Sequence, residues 1–180
     1  MTTHIIGLGD SAKHWNGQGY SIGCNDAFKW GHKLNGLILI NSVNRFKDEP
    51  ERFNTIINSK PDTFYCNNSS WEKYFPDWKQ LNLVSFSYSH RLIKGKLWCS
   101  KTSPFVAICL AVQLGATDVI LWGVDMVTHK YYRPGEKAFN GEYKNYLRLF
   151  EKYKEVGVNI WRGADGSCFD KDLELWITTT

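Results

Sequence analysis

The sequence lacks the features that mark several common classes of protein. Its five cysteines are Cys24, Cys66, Cys99, Cys109 and Cys168. Because they are odd in number, widely scattered and never spaced CxxC, we expect neither a zinc site nor a disulfide framework. The start, MTTHIIGLGD, lacks the basic region and long apolar stretch of a signal peptide. No apolar run approaches the roughly 18 residues of a membrane span. We therefore expect a reduced, soluble, cytoplasmic protein.

Concentrated charge of one sign is also missing. The formal net charge is +4 and the pI is about 8.7, and no run of five like charges occurs. This balance suits an anionic ligand but falls short of the basic stripe of a dedicated nucleic-acid binder. Aromatic residues are abundant, at 15% of the chain, and most of them are expected to build the core.

Several catalytic and metal-binding motifs are absent. The chain contains no Walker A sequence, no HExxH and no GxSxG. Its histidines are His4, His14, His32, His90 and His129. None of them is spaced as a pair of metal ligands, so the sequence predicts no metal site.

Short apolar, β-rich runs alternate with helical patterns along the chain. The β-rich runs cover 3–8, 19–24, 36–41, 62–66, 81–86, 118–124 and 158–161. GLILIN and DVILWGV are almost continuously apolar, as in parallel strands that are covered on both faces. The helical patterns cover 44–58, 70–75, 103–114 and 140–156. The chain therefore predicts an α/β fold, a single Rossmann-like, three-layer domain over residues 1–180 with a mostly parallel, twisted sheet.

The clearest helix is predicted over 103–114. Ser103 is expected to be its N-cap, Pro104 suits its first turn, and Gly115 ends it. The longest stretches without a clear period are 86–101 and 127–140. We interpret 127–140 as a short lid loop, since long loops of α/β domains often cover ligands.

Small polar residues follow the predicted strands, where α/β folds bind ligands. They are Gly7, Gly9, Asp10 and Ser11 after the first strand, Asn25 and Asp26 after the second, Asn41 and Ser42 after the third, Thr102 and Ser103 before the buried helix, and Asp125 after the strand that follows it. Glycine amides and a helix N-terminus suit an anion, and an asparagine side chain suits a base edge or ribose hydroxyls. We predict that this set binds a nucleotide.

Each of these signals has a plainer alternative. Gly7 to Ala12 matches GxGxxA, but Gly17 and Gly19 break the chain too early for the long crossover helix of a nicotinamide-binding fold. The glycine turn can equally be a tight turn, and Ser103 can simply cap its own helix. Asp125 can brace a neighbouring loop as readily as it can act in catalysis.

Taken in order, these motifs resemble a known family. The stretch TSPFVAICLAVQLGATDVILWGVD is the most specific part, and the likeness runs from about residue 3 to 161. The chain resembles the bacterial sialyltransferases of glycosyltransferase family 42, and also the 6-hydroxymethylpterin diphosphokinase (MptE)-like proteins with a Rossmann-type core. Three positions depart from the sialyltransferase pattern: Leu8 replaces an asparagine, Asp10 a proline and Pro104 a glycine.

The resemblance implies roles for particular residues. Gly9 and Ser11 would lie beside the phosphate or sugar, Asn25 and Asn41 would contact the nucleoside or donor sugar, and Thr102 and Ser103 would meet the donor's carboxylate or phosphate. In the lid, Tyr131, Tyr132 and Arg133 would cover the phosphate. The general base would be His129 of the lid or Asp125 at the end of the preceding strand. His129 precedes the tyrosines, whereas the base of the family follows them. No metal or other cofactor would be required beyond the nucleotide sugar.

Three functional hypotheses follow. The first is a nucleotide-sugar-dependent glycosyltransferase-like enzyme. The second is a Mg²⁺-dependent diphosphokinase-like enzyme with Asp10, Asp26 or Asp125 as metal ligands. The third is a non-catalytic module that binds a nucleotide derivative. The acceptor stays open between a glycan, a small molecule and a nucleic-acid base, and self-association into a homo-oligomer is expected.

Overall fold

The computed structural model describes residues 1–87, 95–126 and 135–177. Within these ranges the main sheet contains seven strands, all parallel, in the order β5-β4-β3-β2-β1-β8-β9. They are β1 (Thr2–Ile6), β2 (Tyr20–Cys24), β3 (Gly36–Leu39), β4 (Thr63–Cys66), β5 (Lys79–Gln80), β8 (Asp118–Trp122) and β9 (Asn159–Arg162). Two further strands, β6 (Leu83–Ser85) and β7 (Leu97–Cys99), form a separate parallel pair.

The strand β1 lies at the point where the chain reverses its direction across the sheet. His4 of β1 pairs with Ser21 of β2 on one side and with Ile120 of β8 on the other. From β1 the chain moves outward through β2, β3, β4 and β5, and later returns to place β8 on the opposite side of β1. The connections that leave β1 and β8 therefore diverge at their carboxyl ends, which opens a crevice there.

Helices and short helical turns cover both faces of the sheet. The α-helices are α1 (Pro50–Ile57), α2 (Ser103–Gln113) and α3 (Lys137–Glu155). Since successive strand residues point to opposite faces, Ile5 packs in the core that contains Phe105 of α2, whereas Ile6 packs in the core that contains Trp15. This arrangement confirms the predicted three-layer α/β fold.

Some predicted elements differ from the structure. The predicted helix at 44–58 is divided into a 3₁₀ turn, Val43–Phe46, and the helix α1, because Pro50 cannot lie inside a continuous helix. The predicted short helix at 70–75 is a 3₁₀ turn, Ser69–Trp71. The strands β5 and β7 were not predicted.

Two boundaries near the expected site also differ. The residue that caps α2 is Thr102, and the predicted N-cap Ser103 is the first helical residue. The helix α3 begins at Lys137, so it takes up the end of the predicted lid 127–140, and residues 127–134 lie outside the described part of the chain.

All five cysteines are free thiols. The described residues contain no helix of the length and apolarity that a bilayer crossing requires.

Candidate functional site

A cleft of about 470 Å³ opens at the carboxyl edge of the sheet, beside the ends of β1 and β8. Its polar and charged lining residues are Asn25, Asn41, Arg45, Glu49, Arg52, Lys101, Thr102, Ser103, Asp125 and Tyr146. Leu8, Ile40, Phe46, Val124 and Met126 contribute an apolar portion. The position and mixed lining are those of a small-molecule site in an open α/β sheet.

The glycine turn after β1 packs directly against the end of β8. The amide of Gly7 donates to the carbonyl of Trp122 at 2.7 Å, and the amide of Gly9 donates to the carbonyl of Gly123 at 2.8 Å. A Cβ on Gly7 would lie 2.7 Å from the carbonyl carbon of Gly123. Both amides thus donate to the backbone that ends β8, and Gly7 is required for this close approach.

Asp125 braces the same turn. Its carboxylate accepts a hydrogen bond from the Ser11 amide at 2.9 Å and another, a short one, from the Ser11 hydroxyl. The Ser11 Oγ also accepts from the amide of Gly123 at 2.7 Å. Burial raises the pKa of Asp125 even though the Ser11 hydrogen bonds oppose this shift. Since both carboxylate oxygens are engaged, the geometry favours the bracing alternative over a general base.

Asn25 and Ser103 bring β2 and α2 together in the cleft. Asn25 has a left-handed backbone, with φ at 55°, which asparagine tolerates better than most residues. The Ser103 hydroxyl donates to Asn25 Oδ1 at 3.3 Å. Among the described residues no partner is present for the Asn25 Nδ2 group, so this amide can donate to a ligand in the cleft.

A buried carboxylate, Glu142 of α3, lies behind the start of α2. It accepts hydrogen bonds from the Lys101 amide and the Thr102 hydroxyl, both at 3.1 Å, and a short one from the Ser100 hydroxyl. The Thr102 Oγ1 also lies 2.6 Å from the hydroxyl of Tyr146. Burial, followed by the charge of Glu142, raises the pKa of Tyr146 well above its ordinary value, so this hydroxyl stays protonated.

Another part of the cleft wall carries a network of charged side chains. Arg52 pairs with the buried Asp26 at 2.9 Å and with Glu49, and its guanidinium lies 5.1 Å from the ring centroid of Phe46. Glu49 also pairs with Arg45 at 3.0 Å. The remaining cation of the lining, Lys101, is exposed, and its ammonium makes no ion pair within the described residues.

The structure gathers part of the predicted set in the cleft. The predicted residues that line it are Gly9, Asn25, Asn41, Thr102, Ser103 and Asp125, whereas Gly7, Asp10, Ser11, Asp26 and Ser42 do not line it. Four predicted residues lie outside the described part of the chain: His129, Tyr131, Tyr132 and Arg133. Their roles stay predictions.

Sequence reasoning missed Lys101, Glu142 and the Arg45–Glu49–Arg52 wall. Lys101 directly precedes the predicted helix opening, so its position was available as a signal. Arg45 and Arg52 carry no comparable signal, because charged residues of a surface helix are usually solvated. Glu142 was hidden for the same reason, although it is only 1% exposed.

The candidate magnesium ligands do not meet in the cleft, since only Asp125 lines it. Asp10 is exposed and outside the cleft lining, Asp26 is held by Arg52, and the carboxylate of Asp125 is held by Ser11. Within the described ranges, no group of three or more His, Cys, Asp or Glu side chains is arranged to hold a metal ion. These residues therefore do not fit the magnesium site of the diphosphokinase hypothesis.

Comparison with known proteins identifies the fold. No protein-family model matches the chain, and no curated protein matches it. The sialyltransferase CstII from Campylobacter jejuni, in complex with the substrate analogue CMP-3FNeuAc, is 14% identical with a TM-score of 0.57, over 97% of this chain and 85% of that one. CST-II with a trisaccharide acceptor and CMP gives 14% and 0.57, over 97% and 86%.

An α-2,3-sialyltransferase from Campylobacter jejuni in apo form is 18% identical with a TM-score of 0.58, over 98% of this chain and 80% of that one. The likeness confirms the predicted resemblance to the sialyltransferases at the level of the fold. The resemblance to diphosphokinase-like proteins stays a prediction.

Proposed function

We propose that the protein is a nucleotide-sugar-dependent glycosyltransferase-like enzyme that binds a nucleotide-activated sugar in the cleft beside β1 and β8. The observation that carries the proposal is the place of this cleft, at the carboxyl edge of a fold shared with sialyltransferases solved with CMP and a CMP-sugar analogue. The cleft has the size of a small-molecule site and offers both cationic and amide donors.

The polar groups suggest how a nucleotide would lie. The anion would bind near the Lys101 ammonium, which lines the cleft and makes no ion pair among the described residues. Asn25 and Asn41 would contact the base or the ribose, because each amide offers a donor and an acceptor. This arrangement uses residues from three different strand ends, which explains why no single motif reveals the site.

In the proposed reaction the bond between the anomeric carbon and the donor phosphate breaks, while an acceptor hydroxyl oxygen forms the new bond to that carbon. The phosphate leaves with the electron pair, and Lys101 would stabilise its charge. The acceptor proton must pass to a base. Asp125 is engaged with Ser11, so His129 is the candidate base, assisted by Tyr131, Tyr132 and Arg133 at the phosphate.

A binding experiment tests the proposal directly. Isothermal titration with CMP, UDP, GDP and ADP is expected to show binding of at least one nucleotide. Lys101→Met should then weaken that binding about tenfold, as expected for loss of one charged contact. Lys154→Met is the matched control, because Lys154 is exposed at the far end of α3. If no nucleotide binds, or if both variants behave alike, the proposal is wrong.

A non-catalytic nucleotide-binding module is the second candidate, favoured by the engagement of Asp125 with Ser11. The two candidates differ in whether product is formed. Release of the free nucleotide from its sugar conjugate indicates the enzyme, whereas binding without release indicates the module. Adding a chelator to the same assay tests the magnesium-dependent alternative, which alone predicts loss of activity.

A further inference from the structure

The buried carboxylate of Glu142 controls what the neighbouring cleft wall can bind. We propose that Glu142 fixes Thr102 as a hydrogen-bond acceptor, so that this part of the wall recognises a hydroxyl or amino group of the ligand and excludes its phosphate or carboxylate. This inference rests on the proposed function, since it assigns a ligand group within the same cleft. It assigns Thr102 a ligand group different from the anion implied by the family resemblance.

The argument begins with the protons around Thr102. The carboxylate of Glu142 faces three donors, the Ser100 hydroxyl, the Lys101 amide and the Thr102 hydroxyl. A carboxylate accepts and cannot donate, so the single hydroxyl proton of Thr102 points to Glu142. The Tyr146 hydroxyl, 2.6 Å from Thr102 Oγ1, must then be the donor of that second hydrogen bond. Thr102 therefore has only a lone pair left for the cleft.

The charge of Glu142 also disfavours an anion at Thr102. Its side chain is 1% exposed and makes no ion pair within the described ranges of the chain. A buried charge without a counterion is poorly screened, so it repels an anion placed against Thr102. An anion next to Thr102 would meet both this charge and an oxygen lone pair.

The cleft is thus divided into two portions of different polarity. The Lys101 ammonium and the Asn25 Nδ2 group offer donors to anionic or carbonyl oxygens, whereas Thr102 offers an acceptor. A ligand that combines a phosphate with free hydroxyls, such as a nucleotide sugar, can satisfy both portions. Glu142 is a positioning residue in this scheme, because it does not touch the ligand: it orients the Thr102 hydroxyl, and its charge keeps an anion away from this part of the wall.

The test compares two probes that differ only in a phosphate, CMP and cytidine. In Thr102→Val both affinities should fall about tenfold, because the acceptor for a hydroxyl or amino group that both probes carry is lost. Their ratio should stay within about twofold of the unchanged protein, because Thr102 makes no contact with the phosphate. In Glu142→Gln, which keeps the shape but removes the charge, the ratio should rise in favour of CMP by about tenfold. Thr102→Ser, which keeps the hydroxyl, is the conservative control. A ratio that falls tenfold in Thr102→Val, or that fails to rise in Glu142→Gln, overturns the inference.

A second measurement needs no ligand and separates this inference from the proposed function. In the amide NMR spectrum of the free protein, the Lys101 N–H should exchange slowly and should shift in Glu142→Gln. Rapid exchange of this amide in the unchanged protein contradicts the placement of Glu142, whether or not a nucleotide binds. Absence of CMP and cytidine binding with a protected Lys101 amide contradicts the proposed function and leaves the hydrogen-bond assignment standing.

Discussion

Replacing Gly9 with alanine tests the brace between the glycine turn and Asp125. Gly9 has φ −74° and ψ 162°, a conformation open to any residue, so the substitution adds no backbone strain. A Cβ on Gly9 would lie 2.6 Å from Cγ and 2.9 Å from Cβ of Asp125. Because carbon atoms normally approach to about 3.5 Å, Asp125 must move by about 1 Å.

That movement has a calculable cost. Overpacking costs about 1–3 kcal/mol, and displacing the carboxylate from the Ser11 donors costs about 1.5–3 kcal/mol for a hydrogen bond to a charged group. Alanine also restricts the unfolded chain more than glycine does, and this effect stabilises the folded state by about 0.4–1 kcal/mol. We therefore expect Gly9→Ala to lower the free energy of unfolding by about 3 kcal/mol and Tm by about 6–12 °C.

Urea denaturation of four variants distinguishes this mechanism from a general loss of stability. Gly141→Ala is the control, because Gly141 lies in α3 with nothing within 4 Å of its Cβ position, and alanine there should stabilise by about 0.5–1 kcal/mol. On an Asp125→Ala background the cost of Gly9→Ala should fall to about 1 kcal/mol. Equal costs on both backgrounds, or a neutral Gly9→Ala variant, would refute the steric argument.

Three further outcomes are expected. Gly163→Ala should lower the free energy of unfolding, measured by urea denaturation, by about 2 kcal/mol, because its Cβ would lie 2.5 Å from the indole Cε3 of Trp122. An unchanged free energy of unfolding would contradict this contact. Tyr146→Phe should cost about 1 kcal/mol through loss of the hydrogen bond to Thr102, and an unchanged midpoint would mean that this bond contributes nothing. For Asp118, burial alone would raise the pKa, but three side-chain hydrogen bonds lower it below 3.8. The contribution of the Asp118 carboxylate to stability should therefore be present above pH 3.8 and be lost as the pH falls through the lowered pKa. Asp118→Asn should lower the free energy of unfolding at pH 7 but should have little effect near pH 2.

The sequence was most informative where burial on both faces of the sheet dictates composition. The runs that became β3 and β8 are continuously apolar because helices or helical turns cover both of their faces. The helix α2 was found for the same reason, since its apolar residues surround the axis. By contrast, β7 has only three residues and β5 only two, and such short segments carry too few side chains for a recognisable period.

The candidate site was predicted less completely, because its residues have their roles through contacts distant in the chain. Asn25, Asn41 and Ser103 were found from their positions after strands or at a helix start. No local pattern separates Glu142 from a solvated helical glutamate, since its burial depends on residues 40 positions away. The role of Gly9 was likewise hidden, because only the tertiary structure places Asp125 where its side chain would be.

Two buried carboxylates therefore shape the cleft. Asp125 takes the donors of Ser11 after β1, and Glu142 takes those of Ser100 to Thr102 before α2. Each carboxylate holds a lining segment in place, and each withdraws donors that a ligand phosphate could otherwise use. The Lys101 ammonium and the Asn25 amide stay available to an anion in the cleft. A phosphate bound against Ser11 or against Thr102 would have to displace one of these carboxylates from its partners, and several hydrogen bonds to a buried charge would be lost.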